Sequence, residues 1–506
     1  ASVPALPKTV SLVPLGDDDT SAAPGGVNDE QTNRVIESYL DGMKAIGYME
    51  GYATCKEINQ WYKNFYSGLF NGLDPLPDTV QFLQENYDWT VQEANKKYLV
   101  DDYWLSVKGI LHQLEGLAEG HDAGCYDEEV EVLLENALAE VSEHRQLLNL
   151  PGIEQMSSAS GASPSILNRT SLFHVLLANT NGDLFQIEAK YKLYQKYNIT
   201  GDDEESADDD SITSRVQKLI ESGRIGRRGK RIITPSHCSA IIKILPNNAD
   251  VTFAHATWDE FQCASPRIMK FYSVPDIKGN KILNTNVDMY MSSSPGLLAS
   301  VDDYYQIYKE EYASQLVIIE TSSGVYDSKL LSKIAPDAVL SWVRARVANQ
   351  MARTAPEWAD YFSLFHSGTY TNQWMAIDMM QFTPGQAPKK NFLVILEEMP
   401  TYCHWEDMTG KLTEQTYWAS FNLPYFKDIQ VMSGVAEVCR QDKTNCYDSD
   451  PRSELFAKYN SHVVDVESTK WMIGYNNYKV DSESLGGACN VSNVLQSLFI
   501  YSISSV

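Results

Sequence analysis

The sequence predicts a mixed α+β protein, with a mainly helical amino-terminal portion followed by antiparallel sheets that helices cover. Three observations predict it. Apolar residues recur three and four apart between about Asn28 and Leu150, the spacing of a buried helix face. From Cys238 onward the texture changes to β-branched and aromatic runs divided by turn clusters. A chain of 506 residues that is 43% hydrophobic and 21% charged has the composition of a globular protein with a large core.

Taken in order, residues 1–28 are rich in Pro, Gly and Asp and read as an extended arm. Residues 29–200 form the mainly helical fragment. Ile36, Leu40, Met43 and Ile46 mark one inward face in the segment Arg34 to Tyr66, and Trp104, Val107, Leu111 and Leu114 mark another in Tyr103 to Leu117. A Ser/Gly/Ala/Pro stretch from Leu150 to Ser165 reads as a loop, followed by the apolar run Leu172 to Leu177 and a turn signal at Asn181-Gly-Asp183. Residues 201–237 are a charged linker: seven acids lie in the nine residues Asp202 to Asp210, and Arg224-Ile-Gly-Arg-Arg-Gly-Lys-Arg231 is basic. Neither block can bury apolar surface, so the linker is expected to be solvated and open to cleavage.

Residues 238–506 should hold the core sheets. Cys238 to Leu245 and Val251 to Trp258 read as a hairpin around the turn cluster Pro246 to Asp250. A five-residue turn opposes Leu245 to Val251 and Cys238 to Trp258, which sends His255 to the other face unless the register shifts. Further strands are expected at Leu283 to Tyr290, Gln315 to Thr321, Gln373 to Asp378 and Asn391 to Leu396, with helices at Val301 to Glu311 and Pro336 to Arg353.

A formal net charge of −26 opposes binding to nucleic acid or an anionic membrane surface. The apolar runs are far shorter than the roughly 20 residues of a membrane span, so no integral membrane segment is expected. The opening Ala-Ser-Val-Pro resembles a chain after removal of a signal peptide. Together with the sequons at Asn168, Asn198 and Asn490 and a few expected disulfides, it leads to the expectation of a secreted or lysosomal/endosomal glycoprotein. Cys439 and Cys446 are close enough in sequence to pair, and with Cys238 set aside seven cysteines remain, so at least one further thiol is expected, with Cys263 a candidate.

The sequence contains no Gly-x-Ser-x-Gly elbow, no His-Glu-x-x-His, no phosphate-binding glycine loop and no dinucleotide-binding Gly-x-Gly-x-x-Gly after a strand. No cofactor and no metal is indicated. Cys238 instead sits where a cleavable segment meets a strand. Cutting the bond between His237 and Cys238 would give the thiol its own α-amino group, which titrates near ~7.7 to 8.0 and can take up the thiol proton near neutrality. A buried or disulfide-bonded cysteine is the plain structural alternative.

The run Ser236-His-Cys-Ser-Ala-Ile-Ile-Lys243 with Ala254-His-Ala-Thr-Trp-Asp-Glu-Phe261 resembles the phospholipase B-like proteins of the N-terminal nucleophile hydrolase superfamily. Gly47-Tyr-Met-Glu-Gly51, Gln113-Leu-Glu-Gly-Leu117, Glu320-Thr321, Ser367 to Trp374, Tyr417-Trp-Ala-Ser-Phe-Asn422 and Asp450-Pro-Arg452 extend the resemblance over most of the chain. It implies a four-layer αββα sandwich, self-cleavage before Cys238, and hydrolysis of an acyl bond through a thioester. It also implies a site built from Cys238, His255, Trp258, Thr321, Asn422 and Arg452. In that site Asn422 would donate to a developing oxyanion, Arg452 would hold a carboxylate or phosphate, and Trp258 would wall the pocket. The substrate class is then an acylated small molecule or lipid, with glycerophospholipid deacylation the leading reading and an amidase acting on N-acyl amines or peptides the alternative. A protein of another class, a glycoprotein that binds lipid or a partner without turnover, fits the same fold. A papain-like site is disfavoured because no cysteine lies in a Cys-Gly-x-Cys-Trp context.

Overall fold

The computed structural model describes residues 30–70, 74–125, 170–197, 238–257, 266–277, 286–300, 304–477 and 500–504, together with 280, 283 and 284. The amino-terminal arm, the charged linker, the three sequon asparagines, His237, Trp258, Cys263 and Cys489 lie outside the described residues.

Six helices lead the described chain: α1 (Glu30–Ala53), α2 (Cys55–Phe70), α3 (Pro77–Lys97), α4 (Asp102–Gly124), α5 (Thr170–Asn179) and α6 (Asn181–Tyr197). The expected helical stretch from Arg34 to Tyr66 is thus two helices, and Cys55 at the break is bonded to Cys125 at the end of α4. The motifs at Gly47 and at Gln113 to Leu117 turn out to be the two sides of one close contact. A Cβ on Gly47 would stand 1.9 Å from the Gln113 carbonyl oxygen, and one on Gly116 would stand 2.0 Å from that of Lys44. Only glycine lets the two backbones approach this far. The turn expected at Asn181-Gly-Asp183 is instead the start of α6, and the apolar run before it is α5. Asp183 is buried there, accepting from the Ser341 amide at 3.0 Å and from the Thr369 hydroxyl.

The described strands form two antiparallel sheets. In the first, β1 (Cys238–Ile244) is flanked by β10 (Tyr417–Ser420) and β2 (Val251–Thr257), and β11 (Ile500–Ser504) pairs with β2. The second is a seven-stranded meander of β3 (Ile268–Val274), β4 (Val287–Ser293), β5 (Tyr304–Lys309), β6 (Ser314–Ser322), β7 (Asn372–Asp378), β8 (Leu393–Met399) and β9 (Tyr402–Asp407). The helix expected at Val301 to Glu311 is therefore a strand, β5, followed by a short 3-10 turn. Tyr304, Tyr305, Ile307 and Tyr308 have a spacing that mimics a helix face, but these residue types favour a pleated surface, and their pairing with β4 and β6 decides the outcome. The strand expected from Leu283 begins at Val287, and the helix expected from Pro336 is the shorter α7 (Ser341–Met351), followed by α8 (Ala355–Ser363).

The sheets meet through side chains from both. Phe253 stacks on Tyr304 with ring centroids 6.3 Å apart, Thr321 and Ser420 share a hydroxyl hydrogen bond of 2.7 Å, and the Trp418 indole donates to Gln373 Oε1 at 3.2 Å. Strand alternation explains the division of the core. Ala240, Ile242 and Phe253 join the core shared with the large sheet, whereas Ile241, Ala254 and Ala419 pack on the other side with Phe456 of α12 (Pro451–Tyr459) and Met472 of α13 (Val466–Ile473). The outer face of the large sheet receives α8, whose Trp358 and Phe362 rings lie 5.2 and 4.8 Å from Trp374.

Candidate functional site

The hairpin of β1 and β2 pairs Ile244 with Val251 and Cys238 with Thr257, one residue away from the sequence-based register. Leu245 belongs to the loop, where its amide bonds to the Asp250 carbonyl at 2.9 Å and Asn247 and Asn248 take up positive φ. The shift corrects the parity of His255. It now stands opposite Ala240, on the same sheet face as Cys238 and Thr257.

Cys238 opens β1 and is 6% exposed. Cys238 and Cys403 take part in neither disulfide; the described bridges are Cys55–Cys125 and Cys439–Cys446, the second as expected from sequence. The pairing of Ala240 with Ser420, continued by two residues, brings Asn422 opposite Cys238. The Cys238 amide donates to Asn422 Oδ1 at 3.2 Å. Arg452, in the first turn of α12 behind the Asp450 cap, donates through Nη1 to the Cys238 carbonyl and to Asn422 Oδ1, both at 2.8 Å, and through Nη2 to the Phe421 carbonyl. Both main-chain polar groups of Cys238 are therefore gripped by side chains that come from outside its own strand.

Two roles differ from expectation. The Asn422 amide donates to the Ser322 carbonyl at 2.7 Å and to the Ser322 hydroxyl at 3.2 Å, so it is engaged by the large sheet rather than aimed at an oxyanion. Asn422 does this at φ 67°, in the left-handed region that asparagine tolerates better than most side chains. The Arg452 guanidinium directs Nη1 and Nη2 donors to two main-chain carbonyls and Asn422, so it clamps the chain around Cys238. Thr321, fully buried, ties β6 to Ser420 two residues before Asn422.

His255 is 1% exposed, with Nδ1 3.3 Å from the Thr257 hydroxyl. Burial pushes its pKa down to about 3, only partly opposed by the Glu320 main chain. Burial thus holds the ring in its neutral form.

The sequence reading missed Ser322, Ser420, Gln373 and Glu397. Ser420 and Asn422 lie in one quoted motif, and Gln373 lies in another, so the signal was present without its meaning. Glu397 is buried on β8. Its Oε1 accepts from Gln373 Nε2 and the Tyr425 amide, both at 2.5 Å, and its Oε2 accepts from the Phe426 amide at 2.9 Å.

A second cluster lies across the large sheet. His366, Glu398 and Cys403 place ligand-type atoms within 4.8 Å of one another, a donor set of the kind that zinc uses. However, Arg344 Nη2 already neutralises Glu398 Oε2 at 2.9 Å, and His366 Nε2 contacts the same oxygen at 2.8 Å. Burial, reinforced by the Glu398 charge, pushes the Cys403 thiol up to about 12. A cation would have to displace the guanidinium and find a thiolate, so the cluster is built as an ion pair. One cleft is lined by Trp61, His121 and His174 among the amino-terminal helices and another by Asp288, Tyr308 and Gln315 on the large sheet.

Comparison with known proteins agrees with these motifs. The family model described as phospholipase B matches residues 30–156 and 150–497. Phospholipase B-like 1 of Homo sapiens is 28% identical over 449 residues, covering 88% of this chain and 68% of that protein. Phospholipase B of Crotalus adamanteus is 27% identical over 452 residues, covering 88% and 69%. Phospholipase B-like protein A of Dictyostelium discoideum is 28% identical over 445 residues, covering 88% and 67%. With the family model matching residues 30–156 and 150–497, nearly all of the described residues, the chain belongs to the phospholipase B family.

Proposed function

We propose that the protein is a phospholipase-type acyl hydrolase whose nucleophile is Cys238, exposed as a chain start by cleavage after His237. In this reading the two facing sheets and their helices are a four-layer αββα sandwich. Residues 29–200 and 238–506 become separate fragments of one fold, and the charged linker 201–237 is cut or removed. The observation that carries the reading is the grip on Cys238: its amide on Asn422 and its carbonyl on Arg452, at the first residue of a buried strand. Together the two contacts fix where this residue sits relative to Asn422 and Arg452.

For maturation, the Cys238 thiol adds to the His237 carbonyl carbon, the bond to the Cys238 nitrogen breaks as that nitrogen takes a proton, and water then hydrolyses the thioester. This leaves a carboxylate on His237 and a free thiol and amine on Cys238. In turnover the amine accepts the thiol proton, sulfur attacks the acyl carbonyl, the leaving alcohol takes the proton, and water releases the acid from the second thioester. Glycerophospholipids are the leading substrates and N-acyl amines the alternative. The two disulfides support a secreted or lysosomal setting.

Cys238→Ala should remain one uncut chain by intact mass, while the wild type yields a fragment that begins at Cys238. The same boundary in the mutant would refute self-cleavage. A second reading, a lipid- or partner-binding glycoprotein without turnover, is favoured by the burial of Cys238. It predicts no mass addition on Cys238 when mature protein is treated with a thiol-directed acyl electrophile.

A further inference from the structure

We propose that Glu397 is a positioning residue for this site, one that anchors both ends of the turn carrying Asn422 and so sets Asn422 against Cys238. This rests on the reading of Cys238 given above. The turn leaves β10 at Ser420 and runs through Asn422 to Phe426. At its far end the amides of Tyr425 and Phe426 both end on the Glu397 carboxylate. At its near end Glu397 holds Gln373, and Gln373 Oε1 holds the Trp418 indole on β10. Trp418 in turn packs on Tyr425 with ring centroids 4.9 Å apart, which closes the circuit. One carboxylate on the large sheet thereby fixes the chain on either side of a residue at positive φ, a conformation that persists only where its surroundings hold it.

The chemistry of the grip requires a carboxylate. Three N–H donors converge on two oxygens, and a neutral acid or amide must turn a donor of its own toward them. Burial pushes the Glu397 carboxyl up to about 7, opposed by those donors and by His404. The groups around it are Gln373 from β7, His404 from β9 and Tyr447, whose ring lies against Tyr425 at 5.3 Å. His404 is itself held by Asp428 at 2.7 Å and Glu406 at 3.0 Å. Donors that hold the carboxyl down bind its ionised form more tightly, so the grip on the turn itself should tighten as Glu397 ionises, even though the buried charge costs the fold as a whole.

The test uses the full chain carrying Glu397→Gln, with Glu397→Asp beside it, read by hydrogen exchange and by release of the fragment starting at Cys238. In Glu397→Gln the amides of Phe421, Asn422, Leu423, Tyr425 and Phe426 should exchange at least tenfold faster than wild type at pH 8, after correction for the intrinsic rate. The difference should shrink at pH 5.5, and β3 to β5 should be unchanged. Fragment release should slow about tenfold at pH 8, with Glu397→Asp recovering part of it. Unchanged exchange, acceleration that is equal at both pH values and spread over both sheets, or altered exchange with normal release would each overturn the proposal. If the wild type itself releases no such fragment, the hydrolase reading fails, and exchange at Cys238 and the turn alone decides whether Glu397 positions them.

Discussion

Glu397 and Glu398 are neighbours on β8, both buried, and the pleat turns them to opposite sides of the large sheet. Glu398 faces α7 and α8, where Arg344 and His366 share one oxygen and the Trp374 indole donates to the other at 3.1 Å. Glu397 faces the small sheet and receives only neutral N–H groups. Desolvation is the largest influence on both carboxyls, yet the Arg344 guanidinium, with the His366 hydrogen bond, holds Glu398 below the usual carboxylate range, while Glu397 is pushed up to about 7. What a buried carboxyl does is set by whether its partners carry charge. The outer side is a fixed ion pair, and the inner side is a titratable support for the turn beside Cys238.

The largest effect should come from breaking the outer side. Arg344→Met leaves the Glu398 charge buried without its guanidinium and should cost about 3 to 5 kcal/mol, read by urea unfolding. A loss below about 1 kcal/mol would mean that His366 alone suffices and would erase the contrast. Next is the pH dependence of the inner side. Because the folded pKa of Glu397 lies above its unfolded value, the native state binds the extra proton. Its contribution is complete below the ordinary glutamate range and is lost as pH rises through about 7, by roughly 3 kcal/mol in all. Global stability of Glu397→Gln relative to wild type should therefore improve between pH 5 and pH 8, because the burial cost of the charge outweighs its bonds to the turn, whereas exchange in the turn itself reads the loss of those bonds. Glu398 acts in the opposite sense, its contribution being present above the glutamate range and lost as pH falls. The smallest effect should follow Thr321→Val, which removes the hydroxyl bond to Ser420 and should cost about 1 kcal/mol, with little change in its pH dependence.

Much of this was legible in the sequence, though unevenly. The β1–β2 hairpin, β6, β7 and the Cys439–Cys446 bridge followed from residue type and spacing, since local preference and tertiary demand agree there. The register failed by one residue because nothing in Leu245 says that it belongs to a loop; two asparagines at positive φ decide that. At β5 the spacing of tyrosines and isoleucine fitted a helix, and neighbouring strands overrode it. The family motifs singled out Asn422 and Arg452, but their roles depended on partners hundreds of positions away. Glu397 stayed invisible, because two acids near a strand end read as its solvated tip until the sheet above them is known.

The Arg452 clamp carries one more consequence. A guanidinium that grips the carbonyl of Cys238 is a permanent cation next to any ammonium formed on that residue, and like charges at such range favour the unprotonated partner. A terminus released there would shed its proton at lower pH than a free peptide does, so the same contact that fastens the strand would extend the working range of its base toward acid.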